Sequence, residues 1–136
     1  MSNYKAIFLD RLNAEGIIYD DLDECTLRIC CSGENAASIR ILVTFDADGS
    51  GKVAFRCLSL SRVKDIKLPS ALVACNGLNQ RFRWVKFYVD SDQDVVCQQD
   101  ALVSYETVGD ECLEILSRMV SIIDEAYPHL MKSLWG

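Results

Sequence analysis

Between Cys25 and Leu58, apolar side chains recur at every second position in three successive runs, and no other feature limits this chain as much. Cys25, Leu27, Ile29 and Cys31 alternate with Thr26, Arg28 and Cys30. After Ser32-Gly33-Glu34-Asn35, Ile39, Ile41, Val43 and Phe45 alternate with Arg40, Leu42 and Thr44. Beyond the turn from Asp46 to Gly51, Val53, Phe55 and Cys57 alternate with Ala54, Arg56 and Leu58. A period of two puts one set on each side of a pleated strand, and short polar turns join antiparallel neighbours. The runs therefore predict a three-stranded meander with one apolar face. A second hairpin is predicted near Arg83 to Asp90 and Val95 to Val103, joined by Ser91-Asp92-Gln93-Asp94. Val85, Phe87 and Val89 would point to its core side.

Helical spacing appears at three places. Tyr4, Ile7, Phe8 and Leu12 share one stripe, with Ser2 as the N-cap. Gly16 ends that helix, with Ile17 folding back on Leu12 in a Schellman stop. A short strand is expected at Ile17 to Tyr19, then an acidic turn from Asp20 to Glu24. Pro69 suits a helical first turn, and Leu72, Cys75 and Leu78/Asn79 follow at helical spacing. Thr107 and Asp110 resemble a capping box. Cys112, Leu116, Met119/Val120, Ile123, Tyr127, Leu130 and Leu134 then mark a long amphipathic helix. Pro128 predicts a kink or break near Tyr127. The sum is a single α+β domain over residues 1–136 in the order α-β-β-β-α-β-β-α. Its antiparallel sheet has about five strands, with the terminal helices packed on one face.

Length and composition narrow the function. At 136 residues, half of them hydrophobic, the chain can fill one core without disulfides or metals. Its apolar runs fall well short of the ~18 residues that span a bilayer, and its N-terminus does not read as a signal peptide. Seven cysteines, an odd number with no Cys-x-x-Cys, read as reduced thiols in a cytoplasmic protein. Cys30 would be the exposed one. A net charge of −6 repels phosphate, which argues against nucleic acid and membrane partners.

Each candidate for chemistry has a plainer reading. Asp46-Ala47-Asp48-Gly49-Ser50-Gly51 starts like a calcium loop, but Cys57 stands where a bidentate carboxylate is needed, so a hairpin turn is favoured. Asp90, Asp92 and Asp94 likewise read as a hairpin turn. His129, the only histidine, has no ligand-spaced neighbours and reads as a surface or helix-end residue. Arg81-Phe82-Arg83-Trp84-Val85-Lys86 mixes bases and aromatics, and is read as a basic strand edge facing the acidic turns. Asn76 and Asn79 are expected to bind backbone where helix gives way to strand. No catalytic, cofactor-binding or metal residue is assigned, and no cofactor is expected.

Two stretches resemble the YbjN domain family. One is Ala74-Cys75-Asn76-Gly77-Leu78-Asn79 with Val85-Lys86-Phe87-Tyr88-Val89-Asp90 and Asp94-Val95-Val96. The other is the ending Ile123-Asp124-Glu125-Ala126-Tyr127-Pro128-His129-Leu130-Met131. The resemblance implies a fold like that of type III secretion chaperones, which are small, acidic, often dimeric and bind extended protein segments. It also implies a link to sensory-transduction regulation, and carries no catalytic residues with it.

One surface stands out. Leu42, Ala54, Leu58, Trp84 and Tyr88 alternate away from the core-facing set, where a solvated face would be polar. Either the chain's own helices cover this face, or a partner does. The reading adopted is a non-catalytic protein-binding module, chaperone-like or adaptor, with Leu42, Leu58, Trp84 and Tyr88 as its partner or dimer surface. A homodimer is expected, with a protein or peptide partner. The alternative is a regulatory sensor holding a small ligand under the C-terminal helix.

Overall fold

The computed structural model describes residues 3–136. Six strands form one sheet in the order β1-β2-β3-β4-β6-β5, every neighbouring pair antiparallel. They are β1 (Asp20–Asp21), β2 (Thr26–Cys31), β3 (Ile39–Phe45), β4 (Lys52–Arg62), β5 (Lys86–Val89) and β6 (Asp94–Leu102). The helices are α1 (Asn3–Ala14), α2 (Leu68–Arg81) and α3 (Val108–Trp135).

Alternation sets the register. Val43 lies opposite Leu27 and Phe55, while Phe55 lies opposite Gln99 and Cys57 opposite Cys97. One face of the sheet is thereby assembled from buried Leu27, Ile29, Ile41, Val43, Phe55 and Phe87. All three helices pack into this same apolar cluster. Phe8 of α1 meets Phe45 edge to face, ring centroids 6.2 Å apart. Each such ring or aliphatic chain taken fully from water stabilises the fold by about 1.5–3 kcal/mol, so this layer dominates stability.

Several expectations are corrected. The sixth strand is the short β1, one step beyond the expected Ile17 to Tyr19. Ile17 is engaged elsewhere, because its N–H donates to Leu12 O at 2.9 Å and Gly16 N–H to Asn13 O at 3.2 Å. Gly16 takes φ +71° there, completing the Schellman stop. Buried Lys5 binds the Asp21 carboxylate and the Asp23 carbonyl, drawing β1 against α1. The Ser2 cap lies outside the described residues. In α2 Cys75 and Leu78 face inward as expected, but Ala71 and Ala74 take the place of Leu72, which is half exposed. Small alanines let the helix axis come close to β5, which a Leu72-centred face would prevent.

At the start of α3 the capping pair lies one turn earlier than expected. Ser104 N–H donates to Thr107 Oγ1 at 3.0 Å, and Thr107 N–H to Ser104 Oγ at 3.3 Å. Asp110 is instead paired with Arg11 of α1. Nor does Pro128 break α3, which runs on to Trp135. The carbonyl that Pro128 cannot serve, Asp124 O, accepts from Asn35 Nδ2 at 3.2 Å. The loop before β3 thus restores the lost bond.

Candidate functional site

With every helix on one side, the other face of the sheet is left without a helical cover. A single row crosses five strands there: Arg28, Leu42, Arg56, Gln98 and Lys86 are successive register partners. Beside it lie Thr44, Ala54 and Asp100 in one direction and Cys30 with Arg40 in the other. Leu42 and Tyr88 are half-buried and Leu58 is 44% exposed. Tyr88 is held in place, its hydroxyl donating to Gln98 Oε1 at 2.7 Å and Lys86 Nζ lying 5.5 Å from the ring centroid. Lys52, Ala54, Arg56, Asp100 and Leu102 border a shallow depression of about 510 Å³ between β4 and β6.

This face interleaves apolar and basic side chains, Leu42 lying between Arg28 and Arg56. Arg28, Arg40, Lys52, Arg56, Arg62 and Lys86 belong to it by register, against Asp20, Asp94 and Asp100. The chain as a whole carries −6, so the remaining surface is more acidic still. Arg28 is paired with Asp20, Nη2 to Oδ2 at 3.0 Å. Arg40, Lys52 and Arg56 make no ion pair among the described residues.

Trp84 leaves the strand alternation and lies at the margin of this face, bordering a depression with Lys86, Gln98 and Asp100. Its backbone has φ +84°, outside β5, and its ring lies under the Arg118 guanidinium of α3 at 4.5 Å. Two residues of positive-φ or irregular backbone before a strand cannot be read from alternation, which assumed an extended Arg83 to Asp90. Arg81 likewise pairs with Glu125 of α3, not with an acidic turn. On β4 the register slips between Cys57 and Ser61, with Ser59 at φ +55°, so alternation also ends at Leu58.

The sheet edges are blunted. Asn79 of α2 treats β5 as a neighbouring strand would: its Nδ2 donates to Phe87 O at 3.0 Å, and Phe87 N–H donates to Asn79 Oδ1 at 2.7 Å. The opposite edge is the two-residue, acidic β1. The face, more than an edge, is what the fold presents.

The remaining candidates are structural. Asp48 accepts Ser50 N–H at 2.9 Å inside the β3–β4 turn, and hydrogen bonding from the side chain and backbone of Ser50 holds its carboxyl below the usual range. Asp90 Oδ1 takes the N–H groups of Asp92 and Asp94 at 3.0 and 2.9 Å. His129 is exposed beside Val73 and Gly77 in a groove between α2 and α3. All seven cysteines are free, with Cys30 exposed on the open face and Cys57, Cys75, Cys97 and Cys112 buried. Among the described residues no helix is long and apolar enough to cross a membrane. The sequence reading missed Asp124. Its carboxylate accepts the N–H groups of Glu34, Asn35 and Ala36 at 3.1, 2.8 and 2.8 Å, and those bonds hold its pKa down.

Comparison with known proteins bears on the whole chain. A model of the YbjN family, described as "Putative bacterial sensory transduction regulator", matches residues 13–132. No curated protein matches the sequence. Among solved structures the chain is similar to YbjN from E. coli, with 14% identity and a TM-score of 0.65 over 92% of each chain. It is also similar to a chain of the heterodimeric ExoU–SpcU complex from the type III secretion system of Pseudomonas aeruginosa. There the identity is 18% and the TM-score 0.60, over 93% of this chain and 96% of that one. A chain of the HopA1–SchA chaperone–effector complex aligns at 17% identity with a TM-score of 0.51, over 88% and 92%. At these identities the likeness establishes the fold, which is that of type III secretion chaperones.

Proposed function

Because the chain belongs to the YbjN family, we propose that it is a non-catalytic protein-binding module, chaperone-like or adaptor, that holds a segment of another protein on its open sheet face. The observation that carries this reading is the row from Arg28 to Lys86, which no helix among the described residues covers, with Leu42 in it and Leu58 and Tyr88 beside it. Apolar groups held in a rigid sheet and ringed by charge are the usual composition of a protein interface. The relatives of known fold add support, since two of them were solved as complexes, one described as chaperone–effector. A cytoplasmic setting suits the free thiols.

The test is affinity capture from lysate of the host cells with three baits: the parent protein, Leu58→Glu and Leu72→Glu. Leu58 is on the open face and Leu72 is exposed on α2, so both variants should fold. Specific captured proteins should be lost with Leu58→Glu and kept with Leu72→Glu. The reverse pattern would move the site to the helix side.

Two other readings have an observation each. A homodimer through the same face would also cover Leu42 and Leu58, yet a twofold pairing sets one basic face against another, which favours a different partner. Sedimentation at tens of micromolar separates these. A small-ligand sensor would use the groove of about 350 Å³ between Tyr127 of α3 and the β4 irregularity at Leu58 to Leu60. Saturable ligand binding lost on Tyr127→Ala would favour it.

A further inference from the structure

Resting on the protein-binding reading above, we propose that the segment held on the open face is an acidic amphipathic helix lying across the strands. The first argument is charge. The chain is acidic overall, yet this one face is basic, and Arg40, Lys52 and Arg56 have no ion pair among the described residues. Arg56 opposite Leu42 and Arg40 beside Leu58 match carboxylates that arrive with apolar side chains. Such charges steer encounter and exclude wrong partners more than they add affinity, which Leu42, Leu58 and Tyr88 would supply.

The second argument is spacing. In the central row, cations occupy alternate strands: Arg28 on β2, which also pairs with Asp20, Arg56 on β4 and Lys86 on β5, with Leu42 and Gln98 between them. Adjacent strands lie about 4.8 Å apart, so these cations recur at roughly 10 Å. Two turns of an α-helix advance about 10.5 Å. Carboxylates at i and i+7 on a crossing helix would therefore meet successive cations, with leucines between them over Leu42. An extended segment fits less well, since its same-face residues recur at about 6.8 Å.

The face suits other occupants less. Nucleic acid favours stacking platforms, and the aromatics at this face are already engaged, Tyr88 by Gln98 and Lys86 and Trp84, at its margin, by Arg118. A second copy offering this same face would oppose like charges.

Cys30, exposed beside Arg40 on this face, supplies the readout. The experiment measures binding of a labelled 21-residue helical peptide with Glu at i and i+7 and Leu between. Its companions are a Lys-for-Glu version, a version with the Glu spacing shifted to i and i+5, and a single-stranded oligonucleotide. The rate of Cys30 alkylation is followed alongside. The Glu peptide should bind at least tenfold more tightly than the Lys and shifted versions and slow Cys30 alkylation severalfold. Arg56→Glu should reverse the preference between Glu and Lys peptides, and Arg56→Gln should abolish it, with both variants folded by circular dichroism. Equal binding of Glu and Lys peptides, with Cys30 protected by both, would overturn the charge argument and leave the protein-binding reading standing. Failure of every peptide to protect Cys30 would overturn this proposal, and failure of captured partners to protect it would overturn the earlier reading as well. Oligonucleotide binding that needs Arg56, or sedimentation of the free protein as an oligomer through this face, would replace the acidic helix with that occupant.

Discussion

Asp124 ties the β2–β3 loop to α3 with both its side chain and its carbonyl. Three loop N–H groups point at the carboxylate, and Asn35 Nδ2 takes the carbonyl that Pro128 leaves unserved. Gly33 is part of the arrangement, because a Cβ there would collide with Asp124 Oδ1. Gly33→Ala should therefore push the carboxylate off the loop and lower the melting temperature, where alanine at exposed, uncrowded Gly77 should not. The pH dependence has a defined sign. Backbone donors, that of Ala36 first, lower the folded pKa of Asp124, so its contribution is complete above the unfolded value of about 3.9. It is lost as pH falls through the lowered folded value. The stability gap between the parent and Asp124→Asn should then be constant near neutrality and close below about pH 4, as urea titrations would show. A gap unchanged down to pH 2 would mean the carboxylate charge is irrelevant. Asn79 makes the comparable clamp on Phe87. Asn79→Ala leaves a backbone donor and acceptor of β5 short of partners and should cost about 1–3 kcal/mol in urea unfolding. The backbone role of Asn79 was legible from its place at a helix end. The Asp124 clamp joins residues nearly ninety positions apart, and no local pattern encodes that.

At the scale of elements, alternation served β2 and β3 well because both are regular and covered on one side only. It failed where backbone leaves the extended region, at Ser59 and Trp84, since a positive φ in a non-glycine residue has no compositional mark. In α2 Cys75 and Leu78 are buried as their spacing predicts, but Leu72 is exposed and small Ala71 and Ala74 complete the face. The corrected face makes a paired prediction. Ala74→Leu should overpack the contact with β5 and cost about 1–3 kcal/mol, while Leu72→Ser should stay within roughly 0.5 kcal/mol of the parent. A larger loss from Leu72→Ser would return Leu72 to the buried face. The amphipathic run of α3 was legible throughout. Its continuity past Pro128 was not, because the compensating donor comes from another element.

Across the whole molecule, burial and charge are both segregated. Thiol chemistry reports the first. Burial raises the Cys57 thiol to about 11 and Cys112 to about 12, and pushes Cys97 up further. Thiolate, not thiol, reacts, so a disulfide reagent on the native protein should modify Cys30 quickly and these three only after denaturation. Rapid modification of all seven would mean the core opens readily. The second segregation bears on function. A basic face carrying leucines on an acidic protein was half visible in the sequence: the alternation exposed Leu42 and Leu58. Whether helices cover that face depends on which side they pack, and only the three-dimensional arrangement fixes it. The claim that this face is where a protein partner sits is tested most directly by methyl NMR of the complex with a captured partner. Leu42 and Leu58 methyl resonances should shift on binding while those of Leu72 and Val73 stay in place. Shifts confined to Leu72 and Val73 would contradict it.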